Sequence, residues 1–131
     1  MILLDTHVLL MLALDPERLS RAASRAIGKA QAKGGVAIAS ISLWEVAMLV
    51  DRGEVRVSGS TESFLWALCH RRGLQVLELD ATVAALSTQF PTDFPKDPAD
   101  RIIAATARAH VLALVTRDGR LQDSALLRTI W

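Results

Sequence analysis

An α/β fold with a mostly parallel central sheet flanked by helices is the architecture this sequence predicts, on three observations. Short apolar runs alternate with segments of helical spacing. The connecting segments are long enough to serve as right-handed crossovers between parallel strands. The 131 residues, 51% of them hydrophobic, supply one core and too little material for two ordinary domains. Residues 1–131 therefore read as a single domain.

Met1 to Leu4 is a continuous apolar run ended by Asp5, the pattern of a strand buried on both faces. The next helical spacing opens near Ser20, where Ala22, Ala23, Ala26, Ile27 and Ala30 make an apolar stripe closed by Gly34-Gly35. Val36 to Ala39 is a second strand. It leads into Ser42-Leu-Trp-Glu45, a capping-box pattern before an apolar helix through Val50, with Gly53 as the stop. Thr61 caps a helix to about Arg72, Gly73 ends it, and Leu74 to Leu79 forms a third strand with Asp80 capping the helix that follows. Phe90 to Lys96 is loose and holds two of the four prolines. Asp97-Pro98 then pairs an N-cap with a first-turn proline for a helix to about His110. Val111 to Val115 is the fourth strand. A helical turn around Asp123 to Leu126 and an extended piece, Arg128 to Trp131, complete the reading.

Composition removes several functional classes. The longest unbroken apolar stretch, Val8 to Leu14, is far short of the roughly 20 residues that cross a bilayer, and Asp5 interrupts the N-terminal run before it resembles a signal peptide. No membrane role is expected. Cys69 is the single cysteine, which excludes a disulfide framework and a multi-cysteine zinc site and fits a reducing, cytoplasmic setting. The formal charge of +1 announces no nucleic-acid partner and excludes none, so charge placement carries the argument. Aromatic residues at 5% with no Tyr make a poor base-stacking surface.

In open parallel sheets, ligands sit outside the carboxyl ends of the strands. Asp5 follows the first strand, Glu45 falls in the first turn after the second, Asp100 opens the helix that feeds the fourth, and Asp118 follows the fourth. All four can face one rim. A pair of carboxylates about 4 Å apart repels by about 4 kcal/mol at an effective dielectric near 20, so a cation belongs between them. Oxygen ligands without Cys or His suit Mg²⁺ or Mn²⁺. Taken singly, each acid also has a structural reading. Glu45 completes the capping box, Asp100 sits at N3 behind Asp97, and Asp118 belongs to an Asp-Gly turn. Asp5, at the end of the most buried strand, is the hardest to explain without a partner.

The four motifs together, Asp5-Thr6-His7, Glu45 within Ser40-Ile-Ser-Leu-Trp-Glu, Asp97-Pro-Ala-Asp100-Arg101 and Thr116-Arg-Asp118, resemble those of PIN-domain proteins, most closely VapC-type toxins of bacterial toxin-antitoxin pairs. The likeness runs in order through nearly the whole chain. It implies a three-layer PIN-like fold and a metal-dependent endoribonuclease in which Asp5, Glu45, Asp100 and Asp118 hold Mg²⁺ or Mn²⁺. Thr6, Asp97 and Thr116 stand in supporting places, and a metal-activated water attacks the phosphodiester. Thr116 lies where the family often has a Ser or Thr that orients an acid or a metal-bound water. It further implies an RNA substrate, a cognate VapB-like antitoxin and a homodimer. Relatives commonly carry His where this chain has Pro95 and Trp where it has Met11. Neither change removes an acid, so both bear on rim shape and substrate contact.

Arg18, Arg21, Arg25, Lys29 and Lys33 recur in steps of three and four, which places them on one helix face. That face is either the solvated side of an amphipathic helix or a phosphate track using Arg21 and Arg25. Arg101 and Arg117, beside the acids, are placed to hold the scissile backbone or to pair with a neighbouring carboxylate. Trp44, Met48, Leu65 and Trp66 are core material by composition, and by the resemblance a groove for an antitoxin helix. Two other classes remain open. A phosphoacceptor or phosphatase-like domain would use Asp5 covalently, but His7 stands where a second acid belongs and no Lys follows Lys96. A non-catalytic PIN-fold binding module would have no need of all four acids.

Overall fold

The computed structural model describes all 131 residues. Five strands, β1 (Ile2–Leu4), β2 (Val36–Ala39), β3 (Leu74–Leu77), β4 (Ala113–Val115) and β5 (Thr129–Ile130), form one sheet in the order β3-β2-β1-β4-β5. Every pairing is parallel, with Leu4 beside Ile38 on one side and Val115 on the other. Seven helices cover the sheet: α1 (Thr6–Leu14), α2 (Arg21–Lys33), α3 (Ile41–Asp51), α4 (Thr61–Cys69), α5 (Ala81–Ser87), α6 (Pro98–Ala109) and α7 (Gly119–Gln122).

Side chains of a strand alternate between faces, so the sheet separates two cores. Leu4, Val36, Ile38 and Val115 pack with Val8 and Leu9 of α1, Ala23 and Ile27 of α2, Val46 of α3 and Leu68 of α4. Leu3, Ala37, Ala39 and Leu114 pack on the other side with Ile103, Ala104 and Ala107 of α6, together with Phe94 and Leu121. Three layers result, as the resemblance implied. The central strands are buried on both faces, which is why β1 and β2 read as unbroken apolar runs.

Helix α1 is the element that spacing does not announce. Its sequence, THVLLMLAL, is apolar almost throughout, with Val8 and Leu9 in the core and Leu14 left exposed, so no polar face marks the 3.6-residue period. Ser60, not Thr61, caps α4, accepting from the Ser63 N–H, and the helix ends at Cys69. Gly73, at φ +77, takes the left-handed turn that lets its carbonyl accept from the Val36 N–H and start β3 beside β2. The last short helix lies at Gly119–Gln122 rather than at 123–126, because the Asp118 carboxylate caps it by accepting from the Arg120 N–H.

The expected capping box at Ser42 and Glu45 does not form. Helix α3 starts two residues earlier, with Ser40 at the N-cap. Ser42 and Glu45 are thereby one turn apart on the same helical face, directed at the start of α1. No helix is long and apolar enough to cross a membrane.

Candidate functional site

The chain leaves β1 toward β2 and β3 on one side and returns to β4 and β5 on the other. The strand order reverses between β1 and β4, and a crevice opens at their carboxyl ends. Asp5 follows β1 and Thr116 to Asp118 follow β4. Helix α3 leaves the end of β2 and carries Glu45 in its second turn. Helix α6 precedes β4 and runs against the strands, so its N-terminus, with Asp97 and Asp100, arrives at the same rim. Asp5, Glu45, Asp97, Asp100 and Asp118 line one cavity of about 720 Å³.

Short hydrogen bonds fix the acids nearest the sheet. Asp5 Oδ1 accepts from the Thr6 N–H at 2.8 Å, and Oδ2 accepts from the Thr116 hydroxyl at 2.7 Å. Thr116 is fully buried, and its Oγ1 also accepts from the Asp118 N–H at 3.1 Å. One hydroxyl thus ties the acid after β1 to the acid after β4. The Thr6 hydroxyl donates to Glu45 Oε1 at 2.6 Å. Ser42 Oγ lies 2.8 Å from Thr6 Oγ1, and since Thr6 has one hydroxyl proton, already given to Glu45, Ser42 is the donor of that pair.

The electrostatics are those of a cluster short of positive charge. Burial pushes the Asp100 carboxyl up to about 7, reinforced by the charges of Asp97, Asp5, Asp118 and Glu45. Glu45 is raised by burial, against the lowering effect of its bond from Thr6. Asp118 is lowered, first by its side-chain hydrogen bonds with Arg120. Arg120 reaches Asp118 at 2.8 Å and Asp100 at 3.3 Å. The guanidinium belongs first to Asp118, so Asp100 stays raised in spite of it.

Comparison with known proteins identifies the family and the fold. The profile of the PIN domain covers residues 2–126. The chain belongs to the PIN-domain family. A full-length relative, Ribonuclease VapC22 of Mycobacterium tuberculosis (strain ATCC 25618 / H37Rv), is 38% identical over 132 residues, spanning 99% of this chain and 98% of that protein. The likeness to VapC-type proteins therefore extends over nearly the whole length. Among solved structures, VapBC2 of Rickettsia felis bound to a promoter DNA fragment superposes at TM-score 0.73 with 18% identity, covering 98% of this chain and 97% of that one. A toxin-antitoxin complex from Klebsiella pneumoniae superposes at 0.65 with 22% identity, covering 97% and 95%. FitAcB from Neisseria gonorrhoeae superposes at 0.62 with 24% identity, covering 98% and 96%. At those identities the structures establish the fold.

Within this PIN domain the basic residues divide. Arg117 lines the cavity, together with Arg18, Arg52, Arg56 and Arg120. Arg101 does not: its Nε donates to the Pro95 carbonyl at 2.8 Å and its Nη2 to the Phe94 carbonyl at 3.3 Å, so it anchors the loop before α6. Arg21 and Arg25 lie on the exposed face of α2, opposite buried Ala23, Ile27 and Ala30, and outside the cavity lining. They belong to the solvated side of an amphipathic helix, whereas Arg18, in the turn before α2, departs from the expected single face and reaches the cavity. Arg52 and Arg56 follow α3 in an irregular segment, outside any helical charge stripe. Arg120 stands two residues after Asp118, and that Asp-x-Arg spacing across a capped turn is the signal that marks it. Ser42 was legible only as a cap. Trp44 and Trp66 are both more than half exposed, on α3 and α4, and are not core residues.

The PIN-domain rim fits a hard divalent cation by the chemistry of its donors. No three carboxylates converge as a ready-made ligand set. All the acid donors are carboxylate oxygens, burial and the charges of the neighbouring acids hold Asp100 up, and an arginine is drawn onto the pair that includes it. A cation that keeps several of its own waters suits such a partly open set.

Proposed function

We propose that this chain is a VapC-like endoribonuclease toxin that hydrolyses RNA phosphodiester bonds with Mg²⁺ or Mn²⁺ and is restrained by a cognate VapB-like antitoxin. The observation that carries the reading is the meeting of Asp5, Glu45, Asp100 and Asp118, distant in sequence, in one cavity. A full-length relative named a ribonuclease supports it.

Asp5, Asp100, Asp118 and Glu45 would hold the ion. When bound, such an ion supplies a water acidified to near neutral pH and offsets charge on the phosphoryl oxygens. The chain's own residues do the rest. Thr116 and the Thr6 N–H lock both oxygens of Asp5, which removes rotamer freedom before substrate arrives. The hydroxyls of Ser42 and Thr6 fix Glu45 Oε1, and its raised pKa suits it to take up a proton at the free Oε2. Arg18, Arg52, Arg56 and Arg117 give the cavity lip the charge that an RNA backbone needs. No side-chain nucleophile is required.

A phosphoacceptor role for Asp5 is disfavoured, since no lysine lines the cavity and His7 stands where a second acid belongs. A non-catalytic binding module would have no need of the oriented acids. Exposed Trp44 and Trp66, with half-buried Met48 and Leu65 beside them in sequence, support an apolar seat for the antitoxin. Homodimerisation and a cytoplasmic location are proposed on the family resemblance, and sedimentation of the isolated chain tests the first.

Incubation of the purified protein with structured RNA tests the activity. Cleavage is expected with Mg²⁺ or Mn²⁺, and none with EDTA. Asp5→Asn, of near-equal volume, is expected to lose cleavage while keeping its circular dichroism. A folded Asp5→Asn protein that cuts at the wild-type rate refutes the site, and cutting in EDTA refutes the divalent ion.

A further inference from the structure

Of fifteen lysines and arginines, only Arg120 forms salt bridges, and both are with acids of the candidate site. Its Nη2 lies 2.8 Å from Asp118 Oδ2 and 3.3 Å from Asp100 Oδ2, and its Nε is 3.2 Å from Asp118 Oδ1. The fork therefore occupies both oxygens of Asp118 and one of Asp100. The arginine side chain is 65% exposed, whereas those of Asp100 and Asp118 are 16% and 25% exposed. It lies over them from the solvent side, tethered by those hydrogen bonds.

We infer that Arg120 is the internal counter-ion of this site: it neutralises Asp118 and Asp100 while no divalent ion is held, and an entering ion must displace it. The inference rests on the divalent-ion reading above. A guanidinium keeps its charge at any pH the fold survives, so it makes way only by moving. A divalent ion and the arginine seek the same carboxylate oxygens, and two cations on one pair of oxygens repel each other. Being exposed, the side chain can swing into water without opening the core. Arg120 is thus a positioning residue: it holds the acids while the ion is absent and competes with the ion for their oxygens.

A purely structural alternative exists, in which Arg120 only tethers the turn that Asp118 caps. Metal-binding calorimetry separates the two. Mn²⁺ is titrated into the EDTA-stripped full chain at low ionic strength for wild type, R120A, R120Q, R120K and R117A. Arg117 lines the same cavity but has no salt-bridge partner, so R117A reports the effect of net charge alone. The counter-ion role predicts that R120A and R120Q tighten Mn²⁺ binding about threefold or more, that R120K stays near wild type, and that R117A changes it by less than about twofold. It also predicts a larger Mn²⁺-induced rise in melting temperature for R120A than for wild type. Unchanged or weaker Mn²⁺ binding in both neutral variants overturns the counter-ion and leaves the divalent-ion reading standing. A wild-type chain that binds no Mn²⁺ overturns both.

Discussion

Asp100→Asn is expected to stabilise the metal-free protein at alkaline pH, although it removes a residue of the candidate site. The Asp100 carboxyl is pushed from its ordinary 3.8 to about 7, first by burial and then by the charges around it. The folded chain therefore holds a proton there that the unfolded chain has released. Stability associated with that proton is fully present below the unfolded pKa and is lost as pH rises through about 7. At about 1.36 kcal/mol per unit, a shift of this size corresponds to about 4 kcal/mol for a fully enclosed group. Asp100 is half-buried and reached by water, and screening brings the expected gain to about 1–2 kcal/mol. The assay is urea unfolding in EDTA at pH 4 and pH 8. The variant should match wild type at pH 4, where Asp100 is largely protonated, and exceed it at pH 8 by that margin, while RNA cleavage with Mn²⁺ falls. Equal or lower stability of Asp100→Asn at pH 8 refutes the view that these acids are gathered at an electrostatic cost.

Thr116→Val removes the hydroxyl that joins Asp5 to the Asp118 N–H. Two part-buried hydrogen bonds are lost, so chemical denaturation should show about 1–3 kcal/mol of destabilisation. Steady-state cleavage should show kcat down by about tenfold or more with KM little changed, because an acid is freed rather than a substrate contact removed. Charge reversal at Arg52 and Arg56 should flatten the salt dependence of RNA binding by a slope of about one to two, as expected for two lost phosphate contacts. The same reversal at Arg21 and Arg25 should leave the slope unchanged, because those residues lie outside the cavity lining.

The parts of the fold legible in the sequence are those where local chemistry and tertiary role agree. Strands β1 and β2 read as apolar runs because both faces of the sheet are covered, and Asp80 and Asp97 read as caps because each does cap its helix. The four acids were legible because each follows a strand or opens a helix at the rim. Helix α1 was not, since its outward side carries leucines where polar residues would mark the period. Ser42 and Glu45 matched a capping box by spacing, but the helix starts at Ile41, and tertiary contact with Thr6 gives both residues a different task. Arg101 adjoins Asp100 in sequence yet turns back to two loop carbonyls. Arg120 does the pairing that proximity suggested for Arg101. Neighbourhood along the chain sets neither side-chain direction nor partner.

Anomalous scattering from crystals grown with Mn²⁺ tests most directly whether these separated acids share one ion. The account predicts a manganese peak bounded by carboxylate oxygens of Asp5, Asp100 and Asp118, with the Arg120 guanidinium moved off the acids. Crystals soaked to saturation that show no peak there, with Arg120 still seated on Asp118, would contradict it.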